Sequence, residues 1–292
     1  MFRTFLLLFT ILQLTGCVYV PKYIALDPKI NEKVSDIEVF ASIPQDEVIV
    51  VAQDPGVAAA AGGGLLMALI DSHISKGRQE QIQHTIAPLY AAIDDVDFRN
   101  IFWNTVLPGI KNSPFGKLAE VRPTPRVVSH RERTERLAKL AQGRGFLHVM
   151  TTYSLTQDFK QLAIVTTIDF WIGGQELPAY SNIFRYESNP TTSNPINAWA
   201  QDSGKPYRMA IEEGAKEIAM MLDLDLKYPV TEGIDKNLPS TQKPVSISRS
   251  PGTFPSTITG TLLAEKAGRI VIRHSDGRLY SLPHSPEKGS AK

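Results

Sequence analysis

The chain has 292 residues, enough for one sizeable domain with accessories or for two small ones. Its 42% apolar and 21% charged content are ordinary for a globular protein. The formal charge is +1, and 31 Lys and Arg less Arg3 of the N-terminal segment equal the 30 Asp and Glu, a balance that argues against a nucleic-acid partner or recruitment by anionic headgroups, both of which ask for a concentrated basic face.

The N-terminal segment carries a charge at Arg3, an apolar run from Phe5 to Leu12 and small residues just ahead of a cysteine, the layout of a secretory signal. The run falls short of the roughly 20 apolar residues a bilayer span takes. Its end, Leu14-Thr15-Gly16-Cys17, resembles the lipobox of bacterial lipoproteins. The resemblance implies cleavage between Gly16 and Cys17, a diacylglyceryl group on the Cys17 thiol, and acylation of the new amino terminus. Buried methylenes contribute about 0.8 kcal/mol each, so several acyl chains hold a protein on lipid where one binds reversibly. Cys17 is the only cysteine and can form no internal disulfide, which fits a lipid anchor better than a free thiol in an oxidising compartment. Val18 stands where inner-membrane lipoproteins of this type often carry Asp, so the resemblance points to the outer membrane, periplasmic side. The organisation expected is a signal peptide over 1–16, a lipidated tether over 17–30, an α/β domain over 31–228, a Pro-rich linker over 229–257, a β-meander over 258–284 and a disordered tail over 285–292.

In the tether, Pro21 and Pro28 oppose helix. Ile37, Val39 and Ala41 alternate with polar or outward residues as a strand does, and Glu47-Val48-Ile49-Val50-Val51-Ala52 is a second β-branched run, with a turn at Pro44-Gln45-Asp46. Small residues at Gly56, Ala60, Gly64 and Ala68 recur every fourth position, followed by the bulky Leu65, Leu66, Met67, Leu69 and Ile70. On one reading Gly56, Ala60, Gly64, Leu65 and Leu66 belong to a segment that dips into lipid or packs against its copy. On the other, residues 56–70 are a helix buried in the domain or a glycine loop feeding one. Gly62, Gly63 and Gly64 each cost about 1 kcal/mol in a helix interior, which opposes a continuous helix.

Ile82, Ile86, Leu89 and Ile93 predict a helix that Pro88 kinks or restarts. Among Asp94, Asp95 and Asp97, one is expected to cap the next helix, whose stripe is Phe98, Ile101, Phe102 and Val106, and the others to face water. Residues 121–128 read as extended. Ser129 and Glu132 form a capping box for a helix with Leu137 and Leu140 inward and Gly143 or Gly145 at its end. The strongest sheet signal follows, an antiparallel hairpin of residues 146–155 and 162–171 and a third strand over 180–186. Trp199 and Tyr207 flank a helix with a core stripe of Met209, Ile211, Ala215, Ile218, Ala219 and Leu222. Five prolines between Pro229 and Pro255 predict an extended linker, and three short strands close the chain, the last two joined at Asp276-Gly277. A meander of this size is marginal alone and should dock on the main domain or a partner. The fold class is therefore α+β, an antiparallel sheet with helices packed on it and a small C-terminal β-meander.

No Gly-x-Ser-x-Gly elbow, His-Glu-x-x-His or dinucleotide fingerprint occurs, so no catalytic residue, metal or cofactor is expected. His148 and Asp169 fall within the hairpin and are expected to form a hydrogen-bonded structural pair. The functional expectation is a non-enzymatic accessory or assembly factor for an envelope complex, with the membrane, envelope proteins and a second copy of itself as partners and no nucleic acid. The order of elements is similar to small α/β domains of periplasmic assembly lipoproteins. The alternative is a binding protein for a lipid or cell-wall fragment, its site lined by Tyr153, Phe170, Trp171, Phe184 and Tyr186. An envelope hydrolase using carboxylates assembled by the fold is a third class, with no residues to name.

Overall fold

A computed structural model describes residues 23–50, 76–191, 193–229, 244–248, 257–266 and 268–284. The expected α+β class holds: among the described residues ten strands form one mixed sheet and four helices pack on it. The strands are β1 (Asp36–Ser42), β2 (Ile49–Val50), β3 (Lys117–Thr124), β4 (Arg144–Leu155), β5 (Leu162–Ile172), β6 (Tyr180–Glu187), β7 (Pro244–Ser248), β8 (Thr257–Lys266), β9 (Arg269–His274) and β10 (Leu279–Pro283). The helices are α1 (Lys76–Ala92), α2 (Phe98–Lys111), α3 (His130–Lys139) and α4 (Pro195–Lys227). Across the sheet the order is β3-β1-β4-β5-β6-β10-β9-β8-β7, with β2 paired to the far end of β4.

The β4–β5–β6 centre is antiparallel, as its alternating sequence predicts, from Gly145 opposite Ile172 to Leu155 opposite Leu162. Its flanks are not. β3, β1 and β2 all run parallel to one another or to β4, and β10 runs parallel to β6. Parallel neighbours need long crossovers, and these sort the helices. The chain moves outward from β1 to β3 through α1 and α2, then back from β3 to β4 through α3. Crossovers of one hand that reverse direction must lie on opposite faces. So α1 and α2, joined by α4, cover one face of the sheet, and α3 lies on the other.

The helix-covered face holds the main core. Ile37, Val39, Leu147, Val149, Ile168, Phe170 and Phe184 from the strands meet Ile86, Phe102, Val106, Ile211, Ile218 and Leu222 from the helices. Gly214 lets α4 approach closely, since a Cβ there would stand 2.5 Å from Ile164 Cδ1 and 2.7 Å from the Tyr186 ring. On the opposite face a small aromatic cluster of Phe40, Phe146 and Trp171 lies with Val128, Leu137 and Leu140 around α3. A third cluster there, with Ile183, Ile258, Ile270, Ile272, Tyr280 and Leu282, spans β6 to β8.

Several local expectations hold. Asp97 caps α2 by accepting from Asn100 N at 3.0 Å, and Ser129 caps α3 by accepting from Glu132 N at 3.1 Å. Asp95 does more than face water, because it pairs with Arg208 of α4. Four readings change. Residues 44–46 do not reverse the chain: β1 and β2 run the same way along β4, and the Gln45 side chain fills the gap between them, donating to Tyr153 O at 2.8 Å and accepting from Tyr153 N at 3.0 Å. Met209 is 60% exposed and off the core stripe, which runs instead through Tyr207, Ile211, Gly214, Ile218, Leu222 and the acid Asp225. The stretch read as a Pro-rich linker contains β7, paired to β8. The tether is docked from Tyr23 onward: Ile24 exchanges two backbone hydrogen bonds with Ser181 of β6, and Leu26 and Ile30 are buried in the main core.

Candidate functional site

Two buried polar groupings and one exposed end of the domain are the features that could carry function. The first grouping is a seam where α4 meets β6, β9 and β10. Asp225, on the apolar stripe of α4, accepts from Tyr180 Oη at 2.6 Å, from Asn182 Nδ2 at 2.8 Å and from the Arg273 guanidinium at 2.5 Å. Arg273 also donates to the Tyr228 carbonyl at 2.8 Å. One helical stretch back, Arg269 lies over the Tyr186 ring at 4.5 Å and donates to the carbonyls of Glu187 and Ser281 at 2.6 and 3.0 Å. Glu217 accepts from Ser281 Oγ at 2.6 Å and Glu213 from Tyr186 Oη at 2.7 Å. Burial, with carboxylates beside them, pushes the Tyr180 and Tyr186 hydroxyls far above their ordinary range, so both stay neutral donors. Chemically the seam is a clamp: each arginine of β9 reaches acids of α4, tying the C-terminal strands to the main domain.

The second grouping lies on the opposite face, where the hairpin register places His148 directly across from Asp169. The expected hydrogen bond between them is not made. Both ring nitrogens of His148 are buried without a hydrogen-bond partner, as is Thr167 Oγ1 of β5, while Asp169 accepts from Ser181 Oγ at 2.7 Å. Backbone register decides which residues oppose each other, not where the side chains turn. Burial, and then the nearby Arg133 charge, press the His148 imidazole down to about 4. Burial raises the Asp169 carboxyl, with the Ser181 hydrogen bond pulling the other way. His148 is therefore neutral at neutral pH and offers no imidazolium to a carboxylate. At the rim Arg133 and Arg136 of α3 lie over the Trp171 and Phe40 rings at 5.4 and 4.0 Å.

The aromatics named for a ligand site are split between faces and enclosed. Tyr153, Phe170, Phe184 and Tyr186 belong to the main core and Trp171 to the α3 cluster, none more than 5% exposed. They are sheet core. Cys17, with Gly16, and Gly56, Ala60, Gly64, Leu65 and Leu66 lie outside the described residues. Among the described residues no helix is long and apolar enough to cross a membrane, and no group of three or more His, Cys, Asp or Glu could hold a metal ion.

The described chain enters at one end of the sheet. Tyr23 lies against Gly277 in the β9–β10 turn, where a Cβ would fall 2.2 Å from the Tyr23 ring and where φ is +90°. Only glycine suits both demands. The Tyr23 ring also lies 5.8 Å from the Arg273 guanidinium, so the entering chain touches the polar seam. Sequence reading missed this seam. Its one signal was an acid, Asp225, in phase with the apolar stripe of a long helix.

No protein-family model matches the chain, and no curated protein matches it. Among solved structures, the crystal structure of protein XCC0632 from Xanthomonas campestris, assigned to family DUF330, is 10% identical over 70% of this chain and 95% of its own, with a TM-score of 0.24. A likeness at that score carries neither fold nor function.

Proposed function

We propose that the protein is a membrane-anchored lipoprotein on the periplasmic side of the outer membrane and acts as a non-enzymatic accessory or assembly factor for an envelope complex. The observation that carries this reading is the Leu14-Thr15-Gly16-Cys17 lipobox standing only a few residues ahead of a segment that is docked on the domain from Tyr23. An acyl group on Cys17 would hold the folded body close to lipid rather than at the end of a long leash. The accessory role draws support from the sheet. Its terminal strands β3 and β7 each have one edge that pairs with no other strand among the described residues. Such edges offer backbone donors and acceptors to a strand of a partner.

The test combines labelling and crosslinking in intact cells. The wild type is expected to incorporate labelled palmitate and to be captured with defined envelope proteins, and Cys17→Ser to lose the label and leave the membrane fraction. A wild-type protein that takes up no palmitate refutes the anchor, and recovery solely as an uncrosslinked monomer refutes the accessory role.

A further inference from the structure

We infer that the end of the domain formed by the β5–β6 loop, the β9–β10 turn and the C-terminus of α4 is a lipid-contacting surface that rests on the bilayer through Leu177 and Tyr228. The inference rests on the anchor reading above and goes further, because it names which surface meets the membrane.

Three independent features converge on that end. The first is the point of entry. Tyr23 and Ile24 are fixed at the start of β6 and under the β9–β10 turn. From Cys17 to Tyr23 a fully extended chain spans at most about 22 Å. The straight part of α4, from residue 205 to its end, is about 34 Å long at 1.5 Å per residue. Cys17 held in lipid therefore cannot leave the opposite end of the domain facing the membrane.

The second is the direction of the elements. α4 runs antiparallel to β6, with Glu213 bonded to Tyr186 near the end of that strand and Asp225 bonded to Tyr180 at its beginning. Its C-terminus and Tyr228 thus lie at the entry end. The β5–β6 loop, residues 173–179, leads directly into Tyr180 and lies there too.

The third is what that end exposes. Among the described residues three large hydrophobic side chains are exposed: Leu177 at 75%, Met209 at 60% and Tyr228 at 42%. Two of the three stand at the entry end. A leucine on a loop tip and a tyrosine at a helix terminus suit insertion into the headgroup boundary, where an aromatic ring with a polar tip is stable. Cations near them are paired, Lys33 with Asp27, Lys227 with Asp223 and Arg278 with Asp276, while Glu176 stands exposed beside Leu177. With those cations occupied and an acid beside Leu177, the contact proposed runs through the two apolar side chains and calls for no anionic lipid.

The test uses the full mature lipoprotein, in which the acylated Cys17 leaves any introduced cysteine as the sole free thiol. Leu177→Cys, Tyr228→Cys and Met209→Cys are labelled with an environment-sensitive fluorophore and reconstituted on phosphatidylcholine vesicles carrying a doxyl-labelled phosphatidylcholine. Met209 serves as the reference, about 28 Å from Tyr228 along α4. Probes at 177 and 228 are expected to shift to shorter wavelength and lose fluorescence to the quencher, while the probe at 209 does neither. If the protein floats with the vesicles and the probes at 177 and 228 stay unquenched, or the probe at 209 is quenched equally, this surface is refuted and the anchor stands. If the protein carries no acyl mass and does not float, the anchor itself is refuted.

Discussion

Two buried polar groupings, one on each face of the sheet, are satisfied in opposite ways. On the helix-covered face Asp225, Arg273, Tyr180 and Asn182 form a network in which the carboxylate accepts from three donors and the guanidinium reaches a second acceptor. On the other face His148 and Thr167 are as deeply buried and their polar side-chain atoms make no hydrogen bond. The difference follows from charge. A buried guanidinium keeps its charge and must be matched, whereas an imidazole can drop its proton and bear a smaller penalty. The matched grouping joins two parts of the chain that are far apart in sequence. The unmatched His148 makes stability sensitive to pH.

Breaking the matched side should have the largest effect. Asp225→Ala leaves Arg273 buried without its carboxylate and Tyr180 and Asn182 without their acceptor, and removing one partner of such a pair costs about 3–5 kcal/mol. Equilibrium denaturation is expected to show that loss. The double variant Asp225→Leu with Arg273→Leu should be less destabilised than Asp225→Ala, since no uncompensated charge remains. If Asp225→Ala alone unfolds at the wild-type midpoint, the seam is not a clamp.

The unmatched side can be sharpened by titration. The native imidazole of His148 titrates at about 4, against 6.5 for an unperturbed histidine. Between those values the unfolded chain binds a proton that the folded chain does not. Stability contributed by the neutral, buried ring is therefore fully present above pH 6.5 and is lost as pH falls toward 4, about 3 kcal/mol in all by linkage. Asp169 acts with the opposite sign: its raised native value means the folded chain holds a proton that the unfolded chain releases, which removes stability as pH rises through the ordinary carboxylate range. His148→Leu is expected to remove the histidine's share of the loss of stability as pH falls from 6.5 to 4.5. An unchanged slope in that variant would place the pH dependence elsewhere.

How much of this was legible in the sequence depended on range. The β4–β5 hairpin, the third strand and the caps at Asp97 and Ser129 were readable because period-two alternation and a side chain bonding three residues ahead are local signals. The parallel pairing of β1 with β3 and β4 was not, since it brings Asp36 against Lys117 and Arg144, far along the chain, and no local residue marks a parallel neighbour. Met209 was assigned to the α4 core stripe because Met is apolar, yet it stands two residues before Ile211 and so about 200° around the helix from it. The seam needed two arginines of β9 to meet acids of α4, a juxtaposition that exists only after β10 joins β6. The likeness of Leu14-Thr15-Gly16-Cys17 to a lipobox was plain, but it bears only on the anchoring proposed above and not on the folded body.

Gln45 offers the smallest and cleanest probe of the contrast between matched and unmatched burial. It is buried and neutral, and its amide uses both ends on the backbone of Tyr153, standing in for a strand residue where β1 has ended and β2 has not begun. Gln45→Ala would leave one N–H and one C=O of β4 without a partner in a place the side chain itself had closed to water. With no charge involved, the cost expected is about 1–3 kcal/mol, below that of Asp225→Ala. Hydrogen exchange should localise it: the Tyr153 amide loses protection while the amides of the β5–β6 pair keep theirs. Equal loss of protection across the whole sheet would mean that Gln45 holds the fold together rather than mending one gap, and the ranking of charged above neutral burial would fall with it.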